Sequence, residues 1–446
     1  MSKKNSITEG NILKSLIGFA LPVLAALFLQ SLYGGVDLLI VGQFAETADV
    51  SGVATGSTLM HTITMIVTGL AMGITVLVAQ RIGEKNPEKA GEIIGTGICL
   101  FAVCALIMTI VLVLFTELLA VLMQAPKEAF DETVIYLRLC GLGSIFIVAY
   151  NVLGAVFRGI GDSKTPLMTV CIACVLNIAG DLLLVAVLGL GASGAALATI
   201  ISQAASVVIS LIIISKRKLP FTFNKSYIKF DGNLIKHELK LGIPIALQEL
   251  LVGFSFLIIQ AIANSIDVTS SAGVGVAEKV CAFIMLVPSA YMQSMAAFVA
   301  QNMGARRPKR AKKALLYGIM TSFLIGCIIG AFTFVKGDLL ASVFSNDGAV
   351  ILAAHDYLKA YAIDCLLVAV MFCTVGFFNG LGETVFVMIQ GIVGALGVRV
   401  PVVLFMSSLP ETSLFLIGLG TPASTFAQII LCAGFMYYLK RKGKLD

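Results

Sequence analysis

The sequence predicts an all-α membrane protein of about twelve transmembrane helices, arranged as two pseudo-symmetric six-helix bundles. Three observations carry this prediction. Hydrophobic residues make up 58% of the 446 and charged residues only 13%, about half the share that a soluble domain uses to cover its surface. Apolar stretches of roughly twenty residues or more recur along the chain, each long enough to cross the hydrocarbon core. Short motifs of the first half return in the second at a constant distance.

The apolar stretches place helices near 12–42, 50–80, 91–116, 133–158, 166–188 and 191–215. After a polar interval, further helices are expected near 238–262, 268–300, 312–335, 353–379, 384–408 and 412–439. The first stretch, Ile12 to Val41, is too long for the apolar region of a signal peptide and reads as a span. The chain therefore divides into an N-lobe at 1–215, a cytoplasmic linker at 216–237 and a C-lobe at 238–446.

Basic residues set the orientation. They cluster at Lys3, Lys4 and Lys14, after the second, fourth and eighth helices, between Lys216 and Lys240, and from Lys440 to Lys444; only six of the 31 lie elsewhere. The opposite loops carry Glu46, Asp49, Glu117, Glu128, Asp131 and Asp338. This asymmetry places both termini and the linker in the cytoplasm, which an even number of spans requires. The same distribution explains the net charge of +6 without nucleic acid. The ten cysteines lie inside apolar segments; Cys171 and Cys174, flanked by Val170 and Val175, read as packing residues rather than a redox pair.

The repeat is specific. Val78-Ala79-Gln80, Gly83, Pro87 and Ala90 return 221 residues later as Val299-Ala300-Gln301, Gly304, Pro308 and Ala311. Tyr136-Leu137 returns as Tyr357-Leu358, and Phe157, Gly159 and Gly161 return as Phe378, Gly380 and Gly382. Pro22 nearly matches Pro244. Six spans per half make the repeat parallel rather than inverted. Two bundles facing a central cavity are the expected architecture.

Pro22, the Val-Ala-Gln-x-x-Gly…Pro loop, the Phe-x-Gly-x-Gly segment and the 6+6 repeat resemble the multidrug and toxic compound extrusion (MATE) family, over essentially the whole chain. The resemblance implies a cation-coupled antiporter, driven by protons or sodium and exporting mostly cationic amphipathic compounds by alternating access. It also implies a multi-pass protein of the bacterial cytoplasmic membrane, read as a monomer and not as an enzyme, with no cofactor beyond the coupling ion. The same superfamily contains lipid-linked saccharide flippases, which stand as the alternative function; the mainly acidic buried charges favour the antiporter over an anionic head group. A membrane enzyme is the third and weaker reading, because three scattered histidines form no catalytic set.

Charges inside the membrane single out the candidate site, since each costs about 2.5–3.5 kcal/mol at the bilayer centre on insertion scales. Counting a rise of 1.5 Å per residue, Asp37 lies about 7 Å, Asp181 about 11 Å and Thr199 about 12 Å inside the outer helix ends. Asn177 and Asp181, four residues apart, share a helix face. Two carboxylates, an amide and a hydroxyl at one depth make an oxygen cage for a proton or a sodium ion. By resemblance, Tyr33 with Asp37 and Asn177 with Asp181 match the acidic N-lobe site of one branch of the family, with Asn151 and Thr199 at supporting positions. Gly154 stands where that branch can carry a second amide, and depth counting puts Asn151 well below the others. The plainer reading of Asp37 is a cap on a fraying helix end.

In the second half, Glu249, Glu278, Lys279 and Asp364 all count to about 15–16 Å depth. They are expected to face the cavity or one another, with Lys279 neutralising a carboxylate; Glu249 and Asp364 resemble the acidic pair of another branch. A purely structural ion-pair network is the other reading. Arg399 is a further buried cation whose partner the sequence does not name. Pro22 and the Gly34-Gly35 pair are expected to let the first helix bend. Met65, Met72, Met292 and Met295 are candidate soft contacts for a promiscuous substrate, although for any single one an ordinary lipid- or core-facing role is the stronger reading. Gly189-x-Gly191-x-x-Gly194 lacks the later acidic residue of a dinucleotide site and reads as a tight turn, and no P-loop is present. His61 reads as a packing residue.

Overall fold

The computed structural model describes residues 7–445, and every regular element among the described residues is helical. The chain is a multi-pass membrane protein: eleven helices are long and apolar enough to cross a bilayer, and one bent pair makes a twelfth. In order they are α1 (Ile12–Phe44), α2 (Thr47–Gly83), α3 (Pro87–Leu114), α4 (Lys127–Leu142 and Ser144–Gly159), α5 (Lys164–Val187) and α6 (Gly191–Lys216). Then come α7 (Gly232–Ile266), α8 (Val268–Gly304), α9 (Pro308–Ala341), α10 (Gly348–Leu381), α11 (Thr384–Ser407) and α12 (Leu414–Arg441). Each expected span has its helix. The two pieces of α4 meet at 57°, on Gly143, where a side-chain carbon would lie 2.5 Å from Ile200.

The helices form two contact units. Residues 21–246 make one, and 247–445 with the segment 7–20 make the other. The boundaries thus fall inside α1 and α7, beside Pro22 and Pro244, whereas the sequence placed them at the polar linker. Each proline withholds the amide that would bond the carbonyl four residues earlier, so a helix can change course there at little further cost.

In lipid, helices gain little from burying one apolar surface on another, and small residues that allow close approach take over. The repeat motifs perform this role in each unit. A side-chain carbon at Gly159 would lie 3.0 Å from the Thr75 carbonyl and 3.1 Å from Val78. At Gly380 it would lie 2.7 Å from the Ala296 carbonyl and from Val299, which are the repeat-equivalents of Thr75 and Val78. Gly161 and Gly382 take left-handed φ of 85° and 82° at the next turn, and the paired Lys85 and Arg306 take 58° and 56°. The duplication is therefore conserved as backbone geometry.

The segment leading into the first helix of each half is held differently. In the unit of residues 21–246 the Thr222 amide donates to the Pro87 carbonyl at 3.1 Å, and Gly91 and Gly95 press on the carbonyls of Thr222 and Tyr227. In the other unit Arg310 donates to the carbonyls of Ile7 at 3.2 Å and of Glu9 and Gly10 at 2.7 Å, while Arg307 reaches the Thr8 carbonyl. Glycine contact does in one half what guanidinium donors do in the other.

Gly380→Ala is expected to lower stability by about 1–3 kcal/mol, the range for overpacking, because its neighbour is a backbone carbonyl that cannot rotate away. Gly34→Ala, where an added carbon meets nothing within 4 Å, should leave the melting temperature unchanged. Thermal unfolding of both purified variants in detergent, followed with a thiol-reactive dye, checks the contrast.

Candidate functional site

The unit of residues 21–246 brings together four of the predicted residues from three helices. Asp37 comes from the last turns of α1, Asn177 and Asp181 from α5, and Thr199 from α6. The close approach of α5 and α6 at this level is set by Gly180, where an added carbon would lie 3.0 Å from Ala198. Immediately after Asp181, residues Leu182–Val187 widen into a π-helix, a local expansion frequent at functional sites.

All three acidic and amide side chains are buried: Asp37 is 7% exposed, Asn177 1% and Asp181 0%. The Asn177 amide donates to the Thr199 hydroxyl at 3.5 Å, and that hydroxyl donates to Asp37 Oδ2 at 3.4 Å. Both bonds are long. The Asp181 carboxyl faces that of Asp37, yet Asp37 Oδ1, Asn177 Oδ1 and both Asp181 oxygens lie buried without a close partner. Four buried oxygens with so few donors suit a cation. No lysine, arginine or histidine pairs with either carboxylate among the described residues.

Two carboxylates, an amide oxygen and a hydroxyl are hard ligands, suited to a proton or to sodium rather than to a soft transition metal. No group of three or more His, Cys, Asp and Glu that could hold a metal ion occurs among the described residues. Tyr33 lies beside Gln203 and close to Asp37. Gln203 comes four residues after Thr199, a helical spacing that could have marked it in the sequence. Asn151 is employed elsewhere: it accepts from the Thr68 hydroxyl at 3.2 Å and donates to the Ile147 carbonyl at 2.8 Å. Along α1 the helix runs through Gly34 and Gly35 without interruption.

The second-half residues do not form one cluster. Lys279 is exposed and makes no ion pair among the described residues, so it neutralises neither Glu278 nor Asp364. Glu278 precedes it by one residue, and neighbours in sequence point about 100° apart on a helix. Asp364 is 1% exposed and lies beside Thr425, with Arg399 as its nearby cation. Arg399 donates to the Ser255 hydroxyl at 2.8 Å and stacks 4.3 Å over the Phe256 ring, which supplies the partner that the sequence could not name. Glu249 and Met292 are half-buried. Met72 and Met295 are core residues at 3% and 0% exposure, whereas Met65 is exposed.

The remaining motifs resolve as structure. Gly189 and Gly191 take left-handed φ of 65° and 51° in the turn before α6, and Asp49 accepts the Ala192 amide there at 2.7 Å. That turn is tight because a side chain on Gly191 would collide with Asp49. All ten cysteines are free thiols. His61 is exposed on α2 and not a packed residue.

Comparison with known proteins bears on the family and the fold. The MatE family model matches twice, over residues 22–183 and 244–405, once on each copy of the repeat. The chain is 26% identical to the probable multidrug resistance protein YoeA of Bacillus subtilis (strain 168), over 98% of this chain and 96% of that one. It is 22% identical to the multidrug export protein MepA of Staphylococcus saprophyticus, over 90% and 88%. Among solved structures, an outward-facing multidrug resistance MATE transporter of the MOP superfamily superposes with a TM-score of 0.92 at 21% identity, covering 100% of this chain and 99% of that one. A MOP superfamily transporter from Pyrococcus furiosus, whose binding pocket of reversed polarity is described as suggesting a different function, superposes equally well, at 0.92 and 20% identity over 100% and 99%. Superposition therefore fixes the fold and leaves the chemistry to the side chains.

Arg399→Met should lower stability by on the order of 3 kcal/mol, because it strips the buried Asp364 of its nearby cation. The double variant Arg399→Met/Asp364→Asn should recover most of that loss. Melting temperatures of the three proteins in one detergent decide the matter; equal losses would show that the two charges do not interact.

Proposed function

The chain belongs to the MatE family, multidrug and toxic compound extrusion, and on that premise we propose that it is a secondary active antiporter. It exports cationic or amphipathic small molecules in exchange for protons or sodium ions by alternating access. It acts as a monomer in the cytoplasmic membrane with both termini in the cytoplasm, and it is no enzyme. The names of its relatives support the substrate class. The single observation that carries the coupling is the Asp37–Asp181 pair, buried with unpartnered oxygens and no basic counter-charge.

Two carboxylates that share a desolvated pocket repel each other and require a positive charge between them. A proton on one of them, or a sodium ion shared with the oxygens of Asn177 and Thr199, supplies it. The Thr199–Asp37 hydrogen bond ties α6 to α1, and a bound ion keeps the two carboxylates together around it. Without the ion, repulsion loosens that tie, and α1 can bend at Pro22, where the amide bond to the Gly18 carbonyl is already missing. The ion thereby changes the shape of the segment that carries Asp37.

The test uses proteoliposomes loaded with a permanently cationic fluorescent dye. Efflux should be stimulated by an inward gradient of protons or of sodium, and the responding gradient identifies the ion. Asp37→Asn and Asp181→Asn, each well expressed, should reduce that stimulation at least tenfold. Full gradient-driven efflux in both variants would rule out this site, and stimulation by neither gradient in the unaltered protein would rule out the antiporter.

A further inference from the structure

Glu238 lies near the start of α7, seven residues into the helix. Its neighbours Lys236, His237 and Lys240 are exposed, which makes the segment read as solvated linker. Yet Glu238 is 2% exposed and neither of its carboxyl oxygens has a hydrogen-bond partner. The chain around it is wedged against α2 and α3. An added carbon at Gly73 would lie 2.7 Å from the Glu238 carbonyl, and one at Gly97 would lie 3.7 Å from the carboxyl oxygen and 2.6 Å from Ile74. Gly242 presses on the Leu70 carbonyl, and Gly69 on the backbone of Ala246.

Among the described residues, no titratable group faces the carboxyl from the helices it touches. From α2 it meets the stretch of Gly73 and Ile74, and α2's Arg81 is held by Glu84 at 2.7 Å. From α3 it meets Gly97, next to Thr96, whose hydroxyl is also buried without a partner. From α7 itself, His237 turns to the Asn233 carbonyl. Burial alone acts on the group. An ionised carboxylate in such surroundings carries a desolvation cost that nothing offsets. A single carboxyl offers too few oxygens for a metal ion, so the fitting ligand is a proton. This site and the Asp37 cluster lie toward opposite ends of the same unit: Asp37 is close to the start of α2 in the chain, whereas Glu238 packs near the end of α2.

We propose that Glu238 is a proton-binding site of this unit, separate from the Asp37 cluster, and that its proton holds the first turns of α7 against α2 and α3. Loss of the proton creates a charge that only water can stabilise, and the segment 232–246 loosens to reach it. The inference does not depend on which ion drives transport.

Infrared spectroscopy of the full-length protein in lipid nanodiscs tests it directly. At neutral pH the unaltered protein should show one more protonated carboxyl than Glu238→Gln, and that band should disappear as the pH rises. Hydrogen exchange across 232–246, corrected for the intrinsic pH dependence, should rise at least tenfold over the same interval in the unaltered protein and less than twofold in Glu238→Gln. Glu238→Asp, which keeps the titrating group, should retain the pH response and serves if the glutamine variant folds poorly. An unchanged carboxyl band in Glu238→Gln, or the same exchange profile in both proteins, would overturn the proposal. Either result with gradient-driven efflux intact leaves the Asp37–Asp181 reading standing; loss of gradient coupling with the Glu238 signals intact does the reverse.

Discussion

A carboxylate buried among lipid-embedded helices with no cation beside it needs something to neutralise it, and much of this molecule is shaped by how it meets that demand. The protein meets it in three ways. Asp364 has Arg399 near it, and Arg399 is itself steadied by Ser255 and the face of Phe256. Asp37 and Asp181 have only each other, an amide and a hydroxyl. Glu238 has no partner for either oxygen. A fixed counter-charge makes a permanent structural pair, whereas a carboxylate without one depends on a mobile cation. The same physics thus separates a carboxylate with a fixed cation nearby, Asp364, from those buried without one, Asp37, Asp181 and Glu238.

The duplication concerns backbone packing. Gly159 on Thr75 and Gly380 on Ala296 are the same contact made twice, and the left-handed residues at 85 and 306 are the same turn made twice. Such contacts tolerate little change because the opposing atom is a carbonyl. Side chains that point into polar pockets carry no such constraint, and there the halves have diverged: where the second half has Asp364 in an unbroken α10, the first has Gly143 and a bend of 57°. A chain built this way keeps its scaffold while each half acquires its own charges.

Legibility in the sequence divides along the same line. Twelve spans, the repeat and the grouping of Asp37, Asn177, Asp181 and Thr199 were all readable, because hydropathy, register and helical depth are one-dimensional properties. Lys279 was expected beside a carboxylate and is exposed, since depth gives no information about which way a helix is rotated; Asn151 came from the family resemblance, and its depth already set it below the others. Ser255 was invisible as a partner because 144 residues separate it from Arg399. Glu238 was concealed by the lysines and histidine around it: the average polarity of a segment describes its exposed face, and one buried position on the other face does not move that average. The sequence divides at the polar linker and the contact units beside Pro22 and Pro244, because a continuous apolar run shows no composition change at those points.

The π-helical turns bear on the position of the charges themselves. In α5 the wide turn begins immediately after Asp181, and in α11 it ends on Arg399. Neither the charges nor the turns occupy equivalent places in the repeat. Each turn nevertheless borders the buried charge of the corresponding helix in its half. A π turn rotates the later part of a helix relative to the earlier part and frees a carbonyl from the regular ladder. A helix obliged to present a charge on one side and an apolar surface on the other can satisfy both at such a turn. The local geometry of these two helices is therefore matched to the charge each one carries, independently of the duplicated scaffold into which both are packed.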